Sequence, residues 1–298
     1  MTQKQRAQEL HSQAMQMEDD DKALQLYQQA LALDPEKSES WYNIGLIHKY
    51  CGEWQASFDA NLKAYHLDDA SEAVCWNLAI AATALQDWKT ARQVWNHLGV
   101  AIEPGETEIE ADFGLTPVRL NPDDEAEVVW ARRIDPVRAR LQNIPFPESG
   151  YCYGDIVLHD GAPVGYRTLN GKEVAVFNTL LLMRTSALST WVVEVLVECE
   201  QDVFDLEQRF EQEGIPCECW QQSIQFLCRQ CSEGIPHEHH DDELSDTDTG
   251  TSTKKFNPHQ SLGVACESEE KVQQICAQWC SDQRKVLDIA CALQREHV

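Results

Sequence analysis

Four side chains in the second half of the chain offer soft and imidazole donors at metal-ligand spacing. Cys228 and Cys231 form a Cys-x-x-Cys pair, and His237 and His239 follow in the run Pro236-His237-Glu238-His239-His240-Asp241-Asp242. Thiolates and imidazoles this close together suit a tetrahedral zinc ion. The competing reading is structural. Cys217 and Cys219 alternate onto one face of a strand as core, and the histidines open a flexible acidic stretch. Cys276 and Cys280 stand one helical turn apart and read as core packing.

A second group is cationic. Arg132, Arg133, Arg138 and Arg140 flank Asp135-Pro136, a hairpin signal. An Arg-rich hairpin on a small barrel can hold RNA. Asp123, Asp124, Glu125 and Glu127 lie beside it in sequence and can pair with the same guanidinium groups. The formal net charge of −26 repels a phosphate backbone and favours a basic or cationic partner, so nucleic acid is not expected. The chain has no Gly-x-Ser-x-Gly, no phosphate loop, no dinucleotide fingerprint and no His-Glu-x-x-His. Asp155, His159 and Asp160 are close in sequence, but nothing marks His159 as a base, and a structural role is expected. The expectation is a protein without enzymatic activity.

The elements that would position such residues begin with a repeat. Ser38 to Asp69 recurs at a spacing of 34 residues: Asn43 falls on Asn77, Gly45 on Ala79, Trp54 on Trp88, Ser57 on Ala91. Moved back by the same 34 residues, Ser57 falls on Ala23, Asn61 on Tyr27 and Ala64 on Ala30. The small residues mark where paired helices approach closely; Tyr27, Trp41, Trp54, Trp88 and Trp95 fill the spaces between helices. Each unit leaves an apolar face for its neighbour, so about three units are the minimum stable stack, and the last one needs a cap. The following segment, or the next domain, is expected to supply it.

This period and pattern resemble the tetratricopeptide repeat (TPR) family. The resemblance implies a three-repeat helical solenoid over 1–102, with repeats 4–37, 38–71 and 72–102. It also implies a peptide-binding groove lined by the first helix of each unit. Tyr42, Asn43 and Leu46 fall at the lining positions of the second unit, with Lys49 one turn on. Trp76, Asn77 and Ile80 fall there in the third. A repeated Asn suits the backbone of an extended peptide because its amide both donates and accepts; the alternative is that Asn43 and Asn77 stabilise helix packing. Members that clamp a chaperone's terminal carboxylate use basic residues, where this chain has Gln8, Glu9, Ser12, Ala73 and Asn77. Such a chaperone-tail adaptor is therefore disfavoured.

Beyond 102 the composition turns acidic around Pro104-Gly105, which marks a boundary. From Leu115 the pattern alternates. Strands are expected at 128–134, 137–144, 155–159, 164–168 and 172–177, the last two joined by Asn170-Gly171 and the third ending at Asp160-Gly161. Short strands this close predict a small antiparallel barrel-like domain over 113–185. From 186 to 298 the order strand, helix, strand, strand and a long C-terminal helix predicts a ferredoxin-like α+β sandwich, with a disordered acidic insert at 237–256. The fold class is thus α followed by α+β. The second half also loosely resembles an uncharacterised bacterial domain family, through Val129-Trp130, Asn143-Ile144-Pro145-Phe146 and Gly154-Asp155. That likeness implies a layout and no activity.

Met1 to Arg6 leads straight into an amphipathic helix with no apolar leader, and no run is long and apolar enough to span a membrane. With 12 cysteines expected as reduced thiols, the cytoplasm is the expected compartment. The functional expectation is a scaffold that holds a protein or peptide partner in the repeat groove. The alternative is a zinc-binding regulatory or catalytic module recruited to its targets by the repeats.

Overall fold

The structure, a computed structural model, describes residues 1–124, 126–220 and 256–295. Contacts divide the chain into two compact units: Met1–Phe113 with Ile134–Val137, and Gly114–Arg133 with Arg138–Val298.

The first unit holds six helices: α1 (Gln3–Ala14), α2 (Asp20–Leu33), α3 (Ser38–Tyr50), α4 (Trp54–Leu67), α5 (Glu72–Ala84) and α6 (Trp88–His97). Helix starts follow from local chemistry. Thr2 and Gln5 cap each other's backbone N–H at α1, and Asp19 and Asp87 accept from the first turns of α2 and α6. The carboxylates of Asp20 and Asp21 then stand at the positive end of α2. The helices pack as three successive pairs. Gly45 shows why the repeat needs a small residue: a Cβ there would lie 2.3 Å from Asn61 Nδ2. Ser57 Oγ donates to the Gly45 carbonyl at 2.8 Å, and Asn61 Nδ2 donates to the Ser57 carbonyl at 2.8 Å. Tyr27 and Trp95 are buried, and Trp41 packs on a cluster of Ala14, Tyr27, Ile44 and Ala60.

The last pair is covered by the segment that follows it, as the stack requires. Arg92 of α6 donates to the carbonyls of Glu103, Thr107 and Glu108. Asn96 donates to the Ile102 carbonyl and accepts from its N–H. Ile102 and Ile109 are buried in consequence.

The described residues of the second unit form two sheets. In the first, β1 (Leu115–Leu120), β2 (Glu127–Arg133), β3 (Arg138–Leu141), β4 (Ile156–Leu169) and β5 (Lys172–Arg184) pair in sequence order, and β5 returns to β1. Four ladders are antiparallel; the closing one, Val118↔Phe177 and Arg119↔Asn178, is parallel, so the sheet is not antiparallel throughout. Asn170 and Gly171 take φ of 51° and 76°, the conformation of the expected two-residue hairpin. The turn expected at Asp160-Gly161 is not one. β4 runs through it, and register shifts from His159 to Gly165 absorb Gly161 and Pro163.

The second sheet has the order β7-β8-β6-β9, from β6 (Ser189–Leu196), β7 (Cys217–Cys219), β8 (His259–Cys266) and β9 (Lys285–Leu293). Helices α7 (Glu200–Gln212) and α8 (Glu269–Trp279) cover one face. Trp191, Val193 and Val195 meet Val203, Leu206, Phe210, Val272 and Trp279 there. Gly214, at φ 69°, ends α7 as expected, and Ser268 caps α8 by accepting from Lys271 N. The C-terminal helix is shorter than the sequence predicts. It stops at Trp279, and Lys285–Leu293 pairs with β6 as an edge strand. Cys280 therefore lies exposed at the helix end, while Cys276 is buried. The strand expected over 217–226 is present as Cys217–Cys219 and gives way to helix at Trp220; its positions from 221 on, and the acidic insert up to 255, lie outside the described residues.

Candidate functional site

On the first helices of the second and third repeats the groove positions fall into two sets. Tyr42, Asn43, Leu46 and Trp76 are half-buried; Lys49, Asn77 and Ile80 are 3%, 5% and 1% exposed. Asn43 hydrogen-bonds the buried Tyr27 hydroxyl, which burial pushes above its ordinary range. Trp76 meets Trp95 edge to face at 4.9 Å, and its Nε1 donates to Glu72 at 3.3 Å. The Lys49 ammonium sits 4.4 Å from the Tyr50 ring centre. Of these positions, Tyr42, Asn43, Leu46 and Trp76 keep part of their surface open to solvent.

Cys228, Cys231, His237 and His239 lie outside the described residues. Among the described residues no group of His, Cys, Asp and Glu is arranged to hold a metal ion. Of the hairpin arginines, Arg138 is buried, Arg132 is exposed, and Arg133 and Arg140 are half-buried, with Arg132 facing Arg140 across the ladder.

His159 is fully buried. Its Nδ1 donates to the Asp160 carbonyl at 2.7 Å, so the ring carries its proton there. Nε2 has no partner among the described residues, and the ring stacks on Phe177 at 4.9 Å. Burial drives its pKa down to about 4, with nearby Arg133 adding to the effect. Asp155 is buried as well, and fully answered: Cys152 N at 2.8 Å, Ser186 N at 2.7 Å and Arg295 Nη2 at 2.6 Å donate to it. Its role is structural. Arg295 also donates to the Gly150 carbonyl, which ties the chain end after β9 to the loop before β4.

Glu127, by sequence only an acid beside the hairpin arginines, has a different setting. It opens β2, is 4% exposed, and lines a cavity of about 520 Å³ with Asn121, Asp124, Ala126, Phe146, Glu148 and Ser149. The wall is fixed by Asn121 Nδ2 donating to the Ser149 carbonyl at 3.0 Å, and by Phe146 resting on Trp220 at 5.0 Å. Trp220 Nε1 in turn donates to the Ile144 carbonyl. Phe146 N–H reaches both Glu127 oxygens, at 3.1 and 3.4 Å. Burial raises the Glu127 pKa to about 7, and Glu218 and Glu148 push the same way. No local signal marks Glu127, because its burial comes from the 146–149 segment folding over the start of β2.

Among the described residues no helix is long and apolar enough to cross a membrane. Residues 14–49 match the model of the TPR repeat. No curated protein matches the chain. The match ends at residue 49, so the likeness drawn for the second half stands without support. Lying within three successive helix pairs, it makes the chain a TPR-containing protein, with the association with other proteins that such repeats suggest.

Proposed function

We propose that the helix array is a protein-interaction module that holds a partner segment along α3 and α5. Tyr42, Leu46 and Trp76 give it aromatic and apolar contact, and Asn43 gives it an amide. The observation that carries this reading is the repeat match, together with the part of these four side chains that remains open to solvent. Asn77, Lys49 and Ile80 are too deeply buried for first contact, and they shape the floor beneath it. The partner is recognised by shape and amide bonding rather than by a terminal carboxylate.

In the second unit the order β7-β8-β6-β9, with α7 and α8 on one face, favours a ferredoxin-like sandwich, and the closed strand order of the first sheet favours a small barrel. We assign these modules no catalysis. The cytoplasm is the compartment we propose, on the thiol-rich composition. Affinity capture tests the groove: Tyr42→Ala with Leu46→Ala and Trp76→Ala removes the partners that wild type retains, while the helical signal stays unchanged. An identical set of partners on both proteins rejects the reading.

A further inference from the structure

The cavity beside Glu127 has walls of opposed character. Phe146 and Ala126 are apolar, whereas Asp124, Glu127 and Glu148 bring carboxylates; among its described lining residues there is no Lys or Arg. Glu127 is the unusual member. An ionised carboxylate has about four acceptor sites. Among the described residues Glu127 receives one N–H, shared between both oxygens, and it is 4% exposed. Buried acceptors left this short of donors are costly, and the open space against them is where a donor can enter. Asp155, in the same unit, has two N–H groups and a guanidinium. Glu127 has a cavity in place of the guanidinium.

The size and lining narrow the ligand. At about 520 Å³ the space is many times that of a bare ion, and no metal-holding group is found among the described residues. A donor with an apolar stem fits better. We propose that this cavity receives the arginine side chain of a partner segment, its guanidinium on Glu127 and Glu148 and its stem along Phe146 and Ala126. A guanidinium presents its N–H groups as a fork that matches carboxylates and lays its flat face on aromatic rings. The net charge of −26 draws basic segments toward the chain. The described residues that line the cavity all belong to the sheet unit, so the proposal is independent of the groove.

A bound guanidinium holds Glu127 ionised, so below about pH 7 binding expels a proton and weakens. The test titrates the full-length protein with Nα-acetyl-arginine methylamide, followed by NMR. The expected result is about tenfold tighter binding at about pH 8 than at about pH 6, because the ionised fraction of Glu127 rises about tenfold across that range. The neutral citrulline analogue leaves the spectrum unchanged. Glu127→Gln abolishes the pH dependence and weakens binding about tenfold or more, the scale of one charge-assisted pair. Glu148→Gln, at an exposed position that does not endanger folding, weakens binding by about threefold and keeps the pH dependence. Equal binding of citrulline, affinity that does not change with pH, displacement of the probe by calcium alone, or no shift near Phe146 at saturating probe would each overturn the proposal.

Discussion

Asp155 and Glu127 are carboxylates buried in one unit, and their surroundings treat them oppositely. Asp155 is met from three sides, by the loop before it, by Ser186 and by Arg295 from the far end of the chain. Among the described residues Glu127 is met by one backbone N–H and a cavity. The helix unit has its own answered charge in Arg92, which donates to three carbonyls of the segment that covers the last repeat. Buried charges that the fold answers join distant pieces of chain. Glu127 is the contrasting case, short of donors among the described residues and set beside open space.

The contrast can be broken by mutation. Asp155→Ala has the largest expected effect, a loss of about 3–5 kcal/mol, since it strands a half-buried guanidinium and two N–H groups. Thermal unfolding of the sheet unit measures it, and a loss under about 1 kcal/mol would show that the three bonds contribute little. Arg92→Ala comes next, with about 2–3 kcal/mol lost from the helix unit and faster hydrogen exchange in α6. Unchanged exchange there would deny Arg92 its role as a clamp.

Glu127→Gln should act in the other direction. The folded pKa of about 7 lies above the ordinary 4.5, so between those values the fold keeps a proton that the unfolded chain has released. Wild-type stability from this group therefore falls as pH rises from about 4.5 to about 7, and is level above that. Replacing the carboxylate with an amide gains about 1–2 kcal/mol at pH about 8 and almost nothing at pH about 4. An equal gain at both pH values would mean that Glu127 is not held protonated. The smallest change is Lys89→Ala, which breaks an exposed pair with Glu106 and should cost under about 0.5 kcal/mol in low salt.

What sequence could reveal divides along the same line. Within the repeats each contact lies close along the chain, so Gly45, Ser57 and Asn61 announce their pairing by type and spacing. Asn170-Gly171 does the same for one hairpin, because its backbone sets the turn. The sheets depend on remote partners. Nothing near Gly161 tells that β5 will carry β4 straight through it, and nothing in Lys285–Leu293 tells that β6 waits as its neighbour. The groove was legible as a set of positions, but the depth of Asn77 and Ile80 was not, because α5 is apolar on every side and gives no clue which face is covered. Glu127 was invisible as a site for a related reason: part of its enclosure, Phe146 to Ser149, comes about twenty positions later.

The Arg92 clamp also bears on how such an array can change over generations. Tandem repeats lengthen by duplication, and a new unit must stack on an open end. Here the far end of α6 is occupied: a fourth helix pair inserted after His97 would have to displace the segment whose carbonyls Arg92 and Asn96 already hold. Growth on that side is closed by Arg92 and Asn96, with Lys89 paired to Glu106 beside them. Among descendants of this chain an extra unit after α6 should therefore arrive together with the loss of Arg92.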